Sequence, residues 1–226
     1  MHRFGTLALL APGAAMTAFA FAASGCGDSR QTAASASGSA DTPVQSLALE
    51  VGAGEFRAGD YWEYETRGGD PPVRWSIEVT DALDAGAFRA RVRAPDGLSG
   101  GGPVERAIEY RGPWNAQSAQ SLEYLRFPLR QGARWTSTAV GPGEMTRTLA
   151  QEVKGTQSLE VLGRSVECVR VDGTETTSMP GLPPIAVAAR TTLWYCPTLR
   201  AVGRAETAVP GAPRVTQTLV AARSGG

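Results

Sequence analysis

The chain reads as an all-β protein: one or more curved antiparallel sheets, arranged as an open barrel or a sandwich. Three observations carry that reading. Residues alternate with period two in Tyr61-Trp62-Glu63-Tyr64-Glu65-Thr66-Arg67, the mark of a half-buried strand. Gly- and Pro-rich turn signals recur at short intervals, as in Gly68-Gly69-Asp70-Pro71-Pro72, Gly141-Pro142-Gly143 and Val209-Pro210-Gly211, which is how many short strands are punctuated. No long stretch carries a helical period; the best helix candidate is Asn115–Leu125.

In chain order, the expected strands begin with Asp60–Arg67, Val73–Asp81, Ala87–Ala94 and Val104–Arg111. Arg134–Val140, Met145–Lys154, Ser158–Leu162 and Ser165–Thr176 follow, and then Ile185–Cys196, Val202–Ala208 and Arg214–Ala222. A repeat runs through them. Phe56-x-x-Gly59-x-x-Trp62 recurs as Leu129-x-x-Gly132-x-x-Trp135, and each half closes on a Tyr-and-Pro segment, at Tyr110–Trp114 and at Trp194–Pro197. Two similar β-meanders sharing one core would produce this pattern, with chance as the alternative.

The N-terminus reads differently. His2 and Arg3 precede an apolar stretch from Thr6 to Ala23, broken by Pro12-Gly13, and small residues lead to Cys26. A charged start, apolar middle and small-residue exit describe a secretory signal. A membrane span needs about 20 clean apolar residues, and Pro12-Gly13 interrupts this run early. The ending Ala23-Ser24-Gly25-Cys26 resembles the lipobox of bacterial prolipoproteins, except that Ala23 stands where Leu is commonest. The resemblance implies lipid attachment at Cys26; plain cleavage after Ala20 or Ala22 is the competing reading. Residues 1–25 are therefore the expected signal peptide. Residues 26–46, small and polar with no apolar period, are the expected flexible tether. Residues 47–226 form the β-domain.

Composition excludes more than it identifies. Lys and Arg total 22 against 22 acidic residues, so there is no basic field to draw nucleic acid or anionic lipid. The one histidine is His2, which leaves with the signal peptide. Without it, no Ser-His-Asp triad, Cys-His pair or His-ligated metal site can be built. No nucleophile elbow or P-loop is present either. No cofactor is expected, and carboxylate-only chemistry survives these exclusions. After Cys26, the remaining cysteines are Cys168 and Cys196. Both lie in strand-like segments, and in an exported protein such a pair reads as a disulfide.

The candidate sites are few. Trp62, Trp75, Trp135 and Trp194 fall in strands and are expected in the core, whereas Trp114, in a Gly-Pro turn, is expected at the surface. Glu63 with Glu65, and Asp81 with Asp84, are carboxylate pairs that serve either as acid and base or as ordinary solvated groups. The apolar, proline-rich Met179–Ile185 segment offers Met179, Leu182 and Ile185 with Trp114 as ligand or partner contacts, or else covers a sheet edge.

Pro128-Leu129 through Trp135, the Val161–Val171 strand pair around Gly163, and Trp194-Tyr195-Cys196-Pro197 with Val202-Gly203 resemble a pattern found in bacterial envelope β-proteins and lipoproteins of unknown function. That pattern usually continues Pro-Gly-x-Gly, where this chain has Pro197-Thr198-Leu199-Arg200. The resemblance implies an antiparallel β-domain and no known activity. The functional expectation is a membrane-anchored envelope lipoprotein with a non-enzymatic β-domain. It would act as a binding or scaffold module for a lipid, apolar ligand or protein partner. The alternative is a carboxylate-dependent hydrolase of envelope glycans. A carrier would show an apolar cavity; a hydrolase would show two carboxylates converging in a cleft.

Overall fold

A computed structural model of the chain describes residues 49–68, 71–95, 103–118, 121–178 and 187–226. Ten strands form one antiparallel sheet in the order β5-β4-β3-β2-β12-β11-β10-β9-β8-β7. They are β2 (Tyr61–Arg67), β3 (Val73–Ala82), β4 (Phe88–Pro95), β5 (Pro103–Tyr110), β7 (Arg134–Val140), β8 (Thr146–Val161), β9 (Arg164–Ser178), β10 (Val187–Cys196), β11 (Ala201–Ala208) and β12 (Val215–Arg223). The sheet does not close into a barrel, so β5 and β7 are its edges. Two short strands, β1 (Glu50–Val51) and β6 (Leu129–Arg130), pair separately. The sequence pattern missed both, since two residues are too few to show a period.

The expected strands are found within one or two residues of their read boundaries, with one difference. Met145–Lys154 and Ser158–Leu162 are a single strand, β8, because Gly155 sits in a bulge rather than a turn. The β8–β9 register slips between Val153 and Gly155, and Gly155 adopts φ +129°. A bulge absorbs one extra residue and lets the strand continue. The β8–β9 hairpin turns on Leu162 and Gly163, both at positive φ, as a two-residue hairpin loop requires.

The repeat is structural. Gly59 N–H donates to Val79 O at 2.8 Å, and Gly132 N–H donates to Val153 O at 2.9 Å. The next residue completes the match: Val79 N–H returns to Asp60 O at 2.8 Å, and Val153 N–H to Ala133 O at 3.0 Å. Each valine adjoins a register slip, at Val79/Asp81 and at Val153/Gly155. Strands β2–β5 and β7–β10 are thus two meanders with the same opening, and β11 and β12 join them into one sheet.

One face of the sheet carries the core. Around the first meander it is aromatic: Tyr64 stacks on Trp75 with centroids 4.6 Å apart, and Phe88 stacks on Tyr110 at 4.9 Å. Such rings bury much of the apolar area that drives folding. Trp62, Trp75, Trp135 and Trp194 are all buried, as expected.

Within the expected helix Asn115–Leu125, the described residues 115–118 and 121–125 are not helical. They run as a strap whose backbone groups are satisfied by side chains. The Asn115 carboxamide accepts from Tyr124 and Leu125 N–H and donates to Leu125 O. Trp135 Nε1 donates to Glu123 O at 3.0 Å, and Gln151 Nε2 to Tyr124 O at 3.2 Å. Glu123 N–H donates to Ser137 Oγ at 3.0 Å. A buried backbone must find partners somewhere; here the sheet supplies them, so no helix is needed.

Candidate functional site

The outer face of β7–β10 carries an open groove of about 830 Å³. Its charged lining comes from residues on the non-core face, where alternation along a strand places every second side chain. Arg134, Glu152, Lys154, Arg170, Asp172 and Arg190 all line it. Glu152 and Asp172 are direct cross-strand partners, so two carboxylates do converge here. Both are held by cations: Arg134 and Lys154 lie 3.2 and 2.8 Å from Glu152, and Arg170 lies 2.8 Å from Asp172. Hydrogen bonds from Lys154 and Arg134 keep the Glu152 carboxyl below the usual carboxylate range. A general acid needs the opposite shift. Arg190 has no ion-pair partner among the described residues.

Above the groove, threonines form an array on the same outer face. Thr138, Thr148 and Thr176 stand opposite one another across β7, β8 and β9. Thr136 and Thr174 lie in the next outward row, separated by Ala150.

On the core side of the same strands lies a buried polar group that sequence reading did not find. Arg147 pairs with Glu175 at 2.8 Å with both side chains largely buried. The Tyr124 hydroxyl joins them from the strap, donating to Glu175 at 3.5 Å. Burial opposes the Arg147 charge, and Glu175 with Tyr124 more than restores it, so the guanidinium stays protonated. Burial and the Glu175 charge raise the Tyr124 hydroxyl. The signal was present in Thr146-Arg147-Thr148 and Thr174-Glu175-Thr176. In both, the middle residue takes the inward position, where a charge needs a partner.

The residues read as site candidates are scattered. Trp114 is a correction: it is 4% exposed and offers no surface for a ligand or partner. Its ring packs edge-on against Tyr64 at 5.0 Å and lies 5.6 Å from Trp75. The turn places Trp114 at φ +68°, with the side chain turned inward onto the aromatic core. Met179, Leu182 and Ile185 lie outside the described residues, as do Cys26, the signal peptide and the tether. Glu63 and Glu65 share a face, as read, and both pair with Arg74. Arg67 and Arg74 lower the Glu65 pKa through hydrogen bonds, so this pair is a solvated ionic face. Asp81 and Asp84 are exposed. No cluster of metal-ligating side chains occurs among the described residues.

Cys168 and Cys196 are joined, with their Cα atoms 4.1 Å apart. They lie on adjacent strands, β9 and β10. Next to them, Arg200 stands where the resembled pattern has its last glycine. It keeps the left-handed conformation at φ +51°, and its guanidinium reaches Asp60 at 2.8 Å. The ion pair offsets a backbone cost of roughly 1–2 kcal/mol.

The fold and groove together define an open, ten-stranded, antiparallel all-β protein. No protein-family model matches the chain, and no curated protein matches it by sequence. Solved structures do match. One is an exported protein of Bacteroides fragilis with a YmcC-like fold: 11% identity, TM-score 0.50, covering 79% of this chain and all of that one. Another is a lipoprotein of Parabacteroides distasonis: 13% identity, TM-score 0.52, covering 76% of this chain and 99% of that one. At such identity the likeness is one of fold.

Proposed function

We propose that this protein is a lipid-anchored lipoprotein of the bacterial cell envelope, attached on the outer side of the cytoplasmic membrane or in the outer membrane. Its β-domain works as a binding or scaffold module and catalyses no reaction. The observation that carries the anchor is Cys26, set directly after Ala23-Ser24-Gly25 behind an apolar leader. Two or more acyl chains there would hold the protein firmly. The disulfide supports export to an oxidising compartment. The solved neighbours described as exported or as lipoproteins fit the same location.

The non-enzymatic reading draws on the groove, whose two carboxylates are tied to cations and poorly suited to acid–base work. The described interior packs aromatic rings around the first meander, and valine and leucine side chains beside the Arg147–Glu175 pair in the second. That favours a module working through its surface over a carrier holding a lipid inside. Fractionation tests the anchor: Cys26→Ala should move the protein from the membrane to the soluble fraction. Retention of the variant in the membrane defeats the lipid reading. Native mass spectrometry of protein purified gently from its own membrane tests the module. A co-purified lipid held in the domain would favour a carrier, and turnover of envelope glycan would favour the hydrolase.

A further inference from the structure

The two edges of the sheet are built differently. An edge strand presents unpaired N–H and C=O groups, and natural proteins blunt such edges with proline, charge or a bulge. Edge β5 follows that practice: it opens on Pro103 and carries Glu105, Arg106 and Glu109. Edge β7 does not. After Arg134 it reads Trp-Thr-Ser-Thr-Ala-Val, without charge, proline or register slip. It ends on Val140, the most exposed large apolar residue among those described, at 54%. Among the described residues, no backbone–backbone hydrogen bond joins the strap to β7; the strap is held there by the side chains of Trp135 and Ser137.

We propose that β7 is a self-association edge, pairing antiparallel with β7 of a second copy across a twofold axis. The strand is complementary to itself. Centred on Ser137, the pairing sets Thr136 of one copy against Thr138 of the other, continuing the outer threonine rows. Cross-strand threonine pairs are favourable. On the core side, Trp135 meets Ala139, both apolar and buried in the single copy. At the ends, Arg134 meets Val140 and covers it. The Pro142–Glu144 turn follows Val140, so Glu144 of each copy approaches Arg134 of the other. Glu144 has no ion pair within its own chain among the described residues. The two Arg134 residues sit at opposite ends of the seam and do not repel. An isologous contact of this kind closes on two copies and leaves the blunted β5 edges outward.

A seam of one strand is small against the roughly 1,200–2,000 Å² of a standard interface. The dimer is therefore reversible, and confinement of both copies to one membrane would raise their effective concentration. The pairing itself does not depend on the anchor. Sedimentation equilibrium of the full chain in density-matched detergent is the test. The wild type should show a monomer–dimer equilibrium. Thr138→Pro, which removes a backbone donor, and Thr138→Lys, which adds an edge charge, should each raise the dissociation constant at least tenfold. Ala107→Lys on β5 should leave it unchanged. Thr138 is exposed on the outer face, so the lysine variant folds even where the proline variant does not; an unreduced disulfide and unchanged near-ultraviolet dichroism check this. A wild type monomeric at every concentration overturns the proposal. So does a dimer that Thr138→Lys leaves intact, or one that Ala107→Lys dissolves.

Discussion

Gly59 and Gly132 occupy matching places in the two meanders, each giving its N–H to a valine carbonyl on the strand after next to it in the hairpin. Their backbones share the left-handed region, at φ +88° and +78°. A Cβ at Gly132 would meet nothing within 4 Å, so substitution there isolates the backbone cost. Gly132→Ala should lower stability by about 1–2 kcal/mol. Gly59→Ala should cost about as much, since its Cβ would make only an ordinary contact, 3.4 Å, with Gly225 Cα. Urea unfolding of both variants measures this, and a neutral Gly132→Ala would show that the shared geometry is not required.

Asp60 is fully buried and accepts from Arg57 N–H, Gly225 N–H and Arg200, each at 2.8 Å. It ties the start of β2 to the chain's last residues and to the turn before β11. Asp60→Ala should destabilise by about 3–5 kcal/mol, because it strands the Arg200 charge in a partly buried site. Asp60→Asn should lose less, keeping an acceptor. Limited proteolysis should find the residues around Gly225 cleaved first in the alanine variant; equal protection in both would remove the latch role.

The Cys168–Cys196 bond closes a loop spanning 28 positions. Reduction, or Cys168→Ala with Cys196→Ala, should cost about 3–4 kcal/mol in the chain-entropy account. Melting curves with and without reductant test it, and counting free thiols by mass after alkylation checks the starting state. Gly203 matters here too. A Cβ there would lie 2.6 Å from Cys196 Sγ and 2.9 Å from Val161 Cγ2, so Gly203→Ala should weaken the same region even with the disulfide formed.

All five tyrosines have raised hydroxyl pKa values, chiefly through burial. Unfolded tyrosines ionise near 10. Above that pH the unfolded chain sheds protons that the native protein keeps, so stability falls as pH rises. Below pH 10 the contribution is fully present. Denaturation midpoints should hold steady from this source up to about pH 10 and then decline, and Tyr110→Phe should flatten the decline. Ultraviolet titration should show native tyrosines ionising later than unfolded ones; coincident curves would contradict the burial account.

Trp114 shows where reading by position fails. Its neighbours Gly112 and Pro113 are turn residues, and turns usually lie outside. Its ring packs on Tyr64 and Trp75, and the strap that follows it is held by Asn115, Trp135, Ser137 and Gln151, three of them on strands distant in sequence. None of those partners announces itself locally. Trp114→Ala should therefore cost about 3–5 kcal/mol, as a buried aromatic does, and should leave surface binding unaltered in whatever protein remains folded.

Arg147 and Glu175 make the complementary case. Each stands between two threonines, so alternation alone assigns them inward. Only the β8–β9 register, which sets Arg147 opposite Thr177 and Glu175 opposite Leu149, shows that the two meet on the diagonal. The cysteines were easier to read because both strands were visible and the pair had no other partner. The Phe56 and Leu129 repeat was legible as spacing, since a left-handed glycine and a buried tryptophan three residues later impose the same geometry in both halves.

By itself, the sequence determined the strand segments, the spacing of the Phe56 and Leu129 repeat, the cysteine pair and the absence of histidine chemistry past His2. These follow from local alternation, turn chemistry and composition, which act within a few residues. The tertiary structure alone decided that the sheet stays open, which edge is left unblunted, that Trp114 is buried against Tyr64 and Trp75, and that Glu152 and Asp172 meet among cations. Those outcomes depend on strand order and register, which bring together side chains far apart in the chain and are set by the packing of the whole sheet.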